Sequence, residues 1–300
     1  KAADNFLSDI EIYDFIENNA LYMKPYLAYI TLSKLYGDDN WQLFRPEHQH
    51  YTPELYAGLF KSYGRQMLRA ACAQAIVKDQ LNRLKDYIND QGLLLIGDMP
   101  LYLSHHSSEV WANPRLFELD SAGNRLRVAG VPPDAFSDKG QLWGNPLYRW
   151  DVMRADGFQL FTHRIRSALV HLDILRLDHF IGYVNYWAVP PRAFSAEGLP
   201  ELPATALEGS WEKALPQDFF PLLRALFPAD RFIAEDLGIL NGEVCAYRDQ
   251  YGLPGMIVLQ FCFEESVPEV REFPTERFLY TGTHDNPTIR EWFDNLAEDS

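Results

Sequence analysis

Three short apolar stretches of this chain each end in acids. Residues 171–187, HLDILRLDHFIGYVNYW, alternate between Leu172 and Asp178. A strand there puts Ile174, Arg176 and Asp178 on one face, with Leu175 and Leu177 on the other. Residues 232–238, FIAEDLG, end in Glu235, Asp236 and a glycine, and residues 278–286, FLYTGTHDN, carry His284 and Asp285. The three acids stand about fifty residues apart. Charge at the end of an apolar strand is costly unless paired, and the carboxyl ends of core strands are where α/β barrels keep their chemistry. Taken singly, each acid is equally well a satisfied ion pair at a strand end. Together they suit a retaining glycosidase-type reaction, which needs a nucleophile, a proton donor and groups that stabilise an oxocarbenium-like transition state.

The elements that must position these acids are legible in outline. Besides the strand ending at Asp178, the pattern predicts strands over 93–98 (LLLIGD, with Leu94, Ile96 and Asp98 on one face), 231–235, 255–263 (GMIVLQFCF) and 278–282. Helical periodicity runs over 63–90, through Leu68, Cys72, Ala75, Ile76, Leu84 and Ile88, and stops at 89–92. It returns over 153–171 through Phe158, Phe161, Ile165 and Leu169, then over 218–227, 241–250 and 288–296. The first sixty residues read as an irregular, mostly helical subdomain, with Phe6, Ile10, Tyr13, Phe15 and Ile16 at local helical spacing and Pro25, Pro46 and Pro53 as punctuation. Residues 100–150 read as a loop-built insertion over the active face, and 190–216 as a connection without a core face. Strands alternating with helices or long loops predict a parallel sheet.

Composition narrows the partners. The net charge is 27 − 42 = −15, which argues against a nucleic-acid surface and against attraction to anionic membranes, and fits a soluble protein acting on a neutral ligand. Hydrophobic residues make up 47% of the chain, enough for one large core. Aromatics reach 14%; most will be core, but their flat faces also suit the C–H faces of sugars. Cys72, Cys245 and Cys262 are sparse and odd in number, which reads as reduced and cytoplasmic. No apolar run has membrane-spanning length and no signal-like segment opens the chain, although Lys1 is not a natural start. His105, His106, His163, His171, His179 and His284 offer no metal-ligand spacing, and no phosphate-cradling glycine loop or dinucleotide fingerprint is present. The expectation is no cofactor and no catalytic metal.

The segments GDMPLYLSHHSSEVWANP, VAGVPPDAFSDKGQLWGNPLY, RLDHFIGYVNYW, AEDLG and YTGTHDN resemble, in this order, the 4-α-glucanotransferases called amylomaltases or disproportionating enzymes. The resemblance covers roughly residues 90–290. It implies a (β/α)8 TIM-type barrel of the α-amylase-like kind with loop and helical insertions, incomplete in this chain, with two early strands and the last one missing; the alternative is that the first sixty residues hide further strands. The expected organisation is a helical insertion subdomain and barrel helix over 1–92 and a catalytic barrel portion over 93–300, with the loop-rich insertion at 100–150.

The resemblance also implies roles. Asp178 is the expected nucleophile, kept ionised and oriented by Arg176 on the same face. Glu235 is the expected acid/base, its pKa raised by burial and neighbouring carboxylates, at a separation from Asp178 of roughly 5–5.5 Å if the reaction retains configuration. Asp285 is expected to bind sugar hydroxyls and stabilise positive charge, with His284 adding hydrogen bonds; Asp236 points the other way and reads as structural. Asp98, Asp134, Trp143, Asn145 and Arg176 are expected sugar contacts, the segment 131–145 forming a mobile loop over the acceptor sites. His179 either contacts substrate or braces the Asp178 loop. The implied reaction is retaining transfer of α-1,4-glucan segments from malto-oligosaccharides to an acceptor glucan or glucose, with no protein partner. The alternatives are an α-glucan hydrolase on the same barrel and a non-catalytic glucan-binding protein. Pro287 after HDN, Ile181 after HF and the stretch 191–216 depart from the family pattern and put acceptor-side binding and donor length in doubt.

Overall fold

The computed structural model describes residues 7–133, 137–194, 200–238, 241–263 and 273–298. In chain order the strands are β1 (Ile96–Met99), β2 (Val128–Val131), β3 (Gln141–Pro146), β4 (Ile174–Leu177), β5 (Asn185–Val189), β6 (Ala193–Phe194), β7 (Pro200–Glu201), β8 (Ser210–Lys213), β9 (Phe232–Ala234), β10 (Gly255–Val258) and β11 (Arg277–Tyr280). The helices are α1 (Asp9–Asn18), α2 (Ala20–Tyr36), α3 (Pro53–Asp90), α4 (Ser108–Ala112), α5 (Trp150–Ala155), α6 (Gln159–His171), α7 (Pro216–Leu226), α8 (Gly242–Gln250) and α9 (Ile289–Glu298). The chain divides into two compact units. One comprises Lys1–Leu93, Tyr102–Leu160 and Tyr186–Glu212; the other comprises Leu94–Leu101, Phe161–Asn185 and Lys213–Ser300.

The first unit opens with helices, as the composition of its first sixty residues suggests. A capping box in which Ser8 and Glu11 bond each other's backbone starts α1. Gly37, at φ 68°, ends α2 in the left-handed conformation that glycine adopts without a Cβ penalty. Helix α3 starts at Pro53 behind the Thr52 cap and breaks its helical geometry at Tyr63, so the periodicity seen from residue 63 marks only its second segment. That segment carries a thinner core than expected: Met67 and Ala71 are buried, whereas Ile76 and Leu84 are exposed.

The regions read as loops, 100–150 and 190–216, contain strands. β2, β3, β5 and β8 form a sheet in the order β3-β2-β5-β8, with β2 antiparallel to both β3 and β5. Its strands are only four to six residues long and carry glycine at Gly130 and Gly144, so alternation never builds up along the sequence. Val128, Val189 and Ala206 form its buried cluster, so 190–216 does supply a core residue.

The second unit holds all five expected strands, and all are parallel. β4 lies between β1 and β9, and β10 pairs with β11. The two groups share apolar packing, with Ile174, Ile233 and Met256 clustered and Phe278 and Tyr280 against them. The described strands form three- and two-stranded parallel sheets, not a closed ring of eight. The strand limits depart furthest from expectation at the start of β1 and the end of β10. Leu93 and Leu94 precede β1 and are exposed, because β1 is the edge of its sheet. β10 stops at Val258, and Leu259–Phe263 turns into a 3-10 helix. The helix expected over 153–171 is split into α5 and α6 at Gly157 and Phe158, which both take positive φ.

Behind the end of β4, the 3-10 turn Phe180–Tyr183 is anchored in an aromatic cluster: Tyr183 stacks on Phe219, and Phe180 packs on Phe220, both rings from α7. Each fully buried phenylalanine contributes about 1.5–3 kcal/mol, so this packing fixes where the chain goes after Asp178. Gly182 allows it, since a Cβ there would stand 2.4 Å from Leu101 and 2.7 Å from His179. No described helix is long and apolar enough to cross a membrane.

Candidate active site

Parallel register creates the charged centre of the second unit. Arg176 lies beside Asp98 of β1 on one side and Ile233 of β9 on the other, so its guanidinium meets one carboxylate across the strand pair and a second, Asp178, two residues on along its own chain. Its Nη1 donates to Asp98 Oδ1 at 2.7 Å and to Asp178 Oδ1 at 2.9 Å, and its Nε approaches Met256 Sδ at 3.3 Å. Arg176 is only 9% exposed. A guanidinium this buried would be prohibitive alone; two charge-assisted hydrogen bonds offset its lost hydration.

The chain then turns sharply. His179 takes the left-handed conformation, φ 48° and ψ 56°, which is strained for a residue with a Cβ. The turn aims its N–H at Glu235, whose Oε2 accepts at 2.8 Å. Glu235 Oε1 accepts from the Leu237 N–H at 3.2 Å, and the backbone of Glu235 bonds Leu177 and Phe180. Glu235 is therefore held at the residue next to Asp178.

Burial pushes the Glu235 carboxyl up to about 7; Arg176 pulls it down, Asp178 pushes it further up, and the two N–H groups pull down. The raised value agrees with the sequence expectation. Asp178 is shifted upward too, by burial first, with Asp98 and Asp285 adding to it against the pull of Arg176. Arg176 does favour the ionised form of Asp178, as expected, but desolvation outweighs it. Burial holds the His179 imidazole down at about 4, so it stays neutral at physiological pH.

Asp236 faces away, as strand alternation requires. Its side chain is fully buried and ion-paired with Arg248 and with Arg277 (3.0 Å), and its Oδ1 accepts from the Met256 N–H at 2.7 Å. It locks β9 to β10. Asp285 and His284 sit in the loop after β11 with exposed side chains, 3.4 Å apart. Asp285 is near enough for its charge to act on Asp178.

The second unit thus gathers Asp98, Arg176, Asp178, His179, Glu235, His284 and Asp285. Trp143 and Asn145 belong to the first unit, on β3. Trp143 is partly exposed, its Nε1 donating to Gln141 Oε1 at 3.2 Å, and Asn145 Nδ2 donates to the Leu103 carbonyl at 2.9 Å. Asp134 lies outside the described residues. Sequence reasoning missed Met256, Tyr280 and Gln260. Tyr280 lies within reach of the charges of Arg176 and Asp98, and Gln260 is a buried amide beside the Asp285 loop. The only signal for Gln260 was a lone polar residue inside GMIVLQFCF. Among the described residues, no group of three His, Cys, Asp or Glu side chains is placed to hold a metal ion.

A buried arginine between two carboxylates, a third carboxyl with its pKa near neutrality and a fourth acid close by can together supply a nucleophile, a proton donor and charge stabilisation at one carbon centre. Comparison with known proteins agrees with this chemistry. The profile of the 4-alpha-glucanotransferase family matches residues 2–300. The chain is 36% identical over 302 residues to the 4-alpha-glucanotransferase of Aquifex aeolicus, covering 100% of this chain and 60% of that protein. It is 36% identical over 284 residues to the enzyme of the same name from Thermus thermophilus, covering 93% and 55%. Among solved structures it is similar to the amylomaltase from Streptococcus agalactiae in complex with acarbose, with a TM-score of 0.85 and 32% identity over 97% of this chain and 59% of that one. The chain therefore spans between about half and two thirds of the length of these relatives.

Proposed function

Since the chain belongs to the 4-alpha-glucanotransferase family, we propose that the protein moves α-1,4-glucan segments from a donor malto-oligosaccharide to an acceptor glucan or glucose, with retention at C1. Asp178 attacks C1 while Glu235 gives its proton to the departing 4-oxygen, leaving a glucosyl ester on Asp178. Glu235, now a carboxylate, takes the proton from the acceptor's 4-hydroxyl, whose oxygen displaces Asp178 from C1. Asp285 bonds sugar hydroxyls and stabilises the positive charge that builds up on the ring, with His284 and Asp98 as further polar contacts. Transfer prevails over hydrolysis when the acceptor is held in place and water is kept from the ester.

The observation that carries this reading is the pairing of Asp178 and Glu235: adjacent through the His179 N–H, with the proton donor's pKa raised to about 7. A general acid that protonates an alcohol oxygen at neutral pH needs such a value. We read the five parallel strands as part of an eight-stranded barrel, with the catalytic portion over 93–300 and a helical subdomain over 1–92. The free thiols Cys72, Cys245 and Cys262 support a reducing, cytoplasmic setting.

The test is incubation of the full-length protein with maltotriose. Glucose together with longer oligosaccharides is expected; shortened products alone would make it a hydrolase, and unchanged maltotriose would overturn both. Asp178→Asn should lower kcat by about ten-thousand-fold or more while acarbose binding, followed by calorimetry, persists. Unchanged turnover in that variant removes Asp178 as the nucleophile.

A further inference from the structure

Asp285 acts on the substrate in this reading, yet its own side chain does little to fix its position. It is 73% exposed, and its side-chain contact is with His284, equally exposed, at 3.4 Å. Its place must be inherited from the backbone of residues 281–287. That loop has an internal brace: Asn286 Oδ1 accepts from the Thr283 N–H at 3.0 Å and from Thr283 Oγ1 at 2.8 Å, and the Asp285 N–H reaches Thr283 Oγ1 at 3.3 Å. An internal brace shapes a loop without locating it.

Gln260 locates it. The side chain sits in the 3-10 turn that follows β10 and is 4% exposed. Its Nε2 donates to the Thr281 carbonyl at 3.1 Å and to the Pro287 carbonyl at 2.8 Å, one at each end of the loop. Both partners are acceptors only, which fixes which end of the amide carries the nitrogen and uses both of its donors. Gly282 makes room: a Cβ there would lie 2.8 Å from Nε2 and 3.3 Å from the Pro287 carbonyl. The departure of Pro287 from the family pattern leaves this clamp untouched, because the contact is to its backbone oxygen. From Gln260 the connection runs through β10, whose Met256 N–H is held by Asp236, to β9 and Glu235.

We propose that Gln260 is a positioning residue: by clamping both ends of residues 281–287, it holds Asp285 in place relative to Asp178 and Glu235. The inference rests on the transferase reading given above. A buried amide that merely satisfied two carbonyls would matter to stability alone, so the test must separate the two roles. In the full-length protein, Gln260→Leu should lower kcat for maltotriose transfer by about 100-fold, the loss that a displacement of about 1 Å can cause, with little change in KM. Gly282→Ala leaves the glutamine present but pushes its amide aside, and should shift kcat in the same direction; it carries the test if Gln260→Leu does not fold. In an Asp285→Ala background either substitution should have little further effect, since the residue it positions is gone. Full kcat in both single variants overturns the proposal, as does an equal loss with and without Asp285. A wild-type protein that leaves maltotriose unchanged takes down the transferase reading itself, and is told apart from failure of the clamp by that control.

Discussion

At the scale of residues, the site is a set of carboxyls whose protonation is set by burial and by one guanidinium. Glu235, with its pKa at about 7, must be protonated to serve as the proposed acid, so kcat/KM should fall as pH rises through about 7; an activity profile flat from about pH 6 to about pH 9 would refute that role. The same shift has a consequence for stability. A carboxyl whose folded pKa lies above its unfolded value binds its proton more tightly when folded. Its stability contribution is intact below the unfolded carboxylate range and is lost as pH rises through that range towards 7. Glu235→Gln removes this loss. Between about pH 5 and about pH 8 the wild type should lose on the order of 1–3 kcal/mol relative to the variant, after allowing for its partial contact with water, as read from denaturant melts at the two pH values. Asp178, Glu235 and Asp285 were legible because each ends an apolar run, and Arg176 because alternation puts it on the face of Asp178. What the sequence could not show was the balance of forces: it gave no sign that burial would outweigh Arg176 at Asp178. Nor could it show Met256 or Gln260, whose partners come from strands and loops apart in the chain.

At the scale of elements, the five parallel strands could be read because each is a dense apolar run, and the sheet of β2, β3, β5 and β8 could not because its strands are short and interrupted by glycine. The strand limits slipped most at β10, which stops at Val258 where the chain turns into the 3-10 helix that carries Gln260. Between β9 and β10 the critical joint is Asp236. Asp236→Ala leaves Arg248 and Arg277 without their buried partner and the Met256 N–H without an acceptor. It should cost about 3–5 kcal/mol, seen as a lower denaturation midpoint; a loss under about 1 kcal/mol would mean that the pairs are solvated and do not join the strands. β1 meets its neighbours as closely. A Cβ at Gly97 would stand 2.1 Å from Leu172 Cδ1, so Gly97→Ala should destabilise by about 1–3 kcal/mol through overpacking, measured in the same melts.

At the scale of the whole molecule, the charge of −15 and the three free cysteines set two expectations. The protein should pass through a heparin column at physiological salt, and its melting temperature should not move when a reducing agent is added. Retention on the column, or a drop of several degrees on reduction, would contradict them. The plan of the second unit carries a further consequence, for biosynthesis. It is assembled from three separate stretches of chain, and residues 98 and 176, side by side in the sheet, are 78 positions apart. At a ribosomal speed of about 5–20 residues per second, β1 leaves the ribosome roughly 4–16 seconds before β4, its neighbour in the sheet. Until then the carboxylate of Asp98 and the apolar strand that bears it wait without their neighbours. Such delayed, long-range pairing slows folding and invites wrong partners in the meantime, which makes the newborn chain, more than the finished fold, the form most in need of a chaperone.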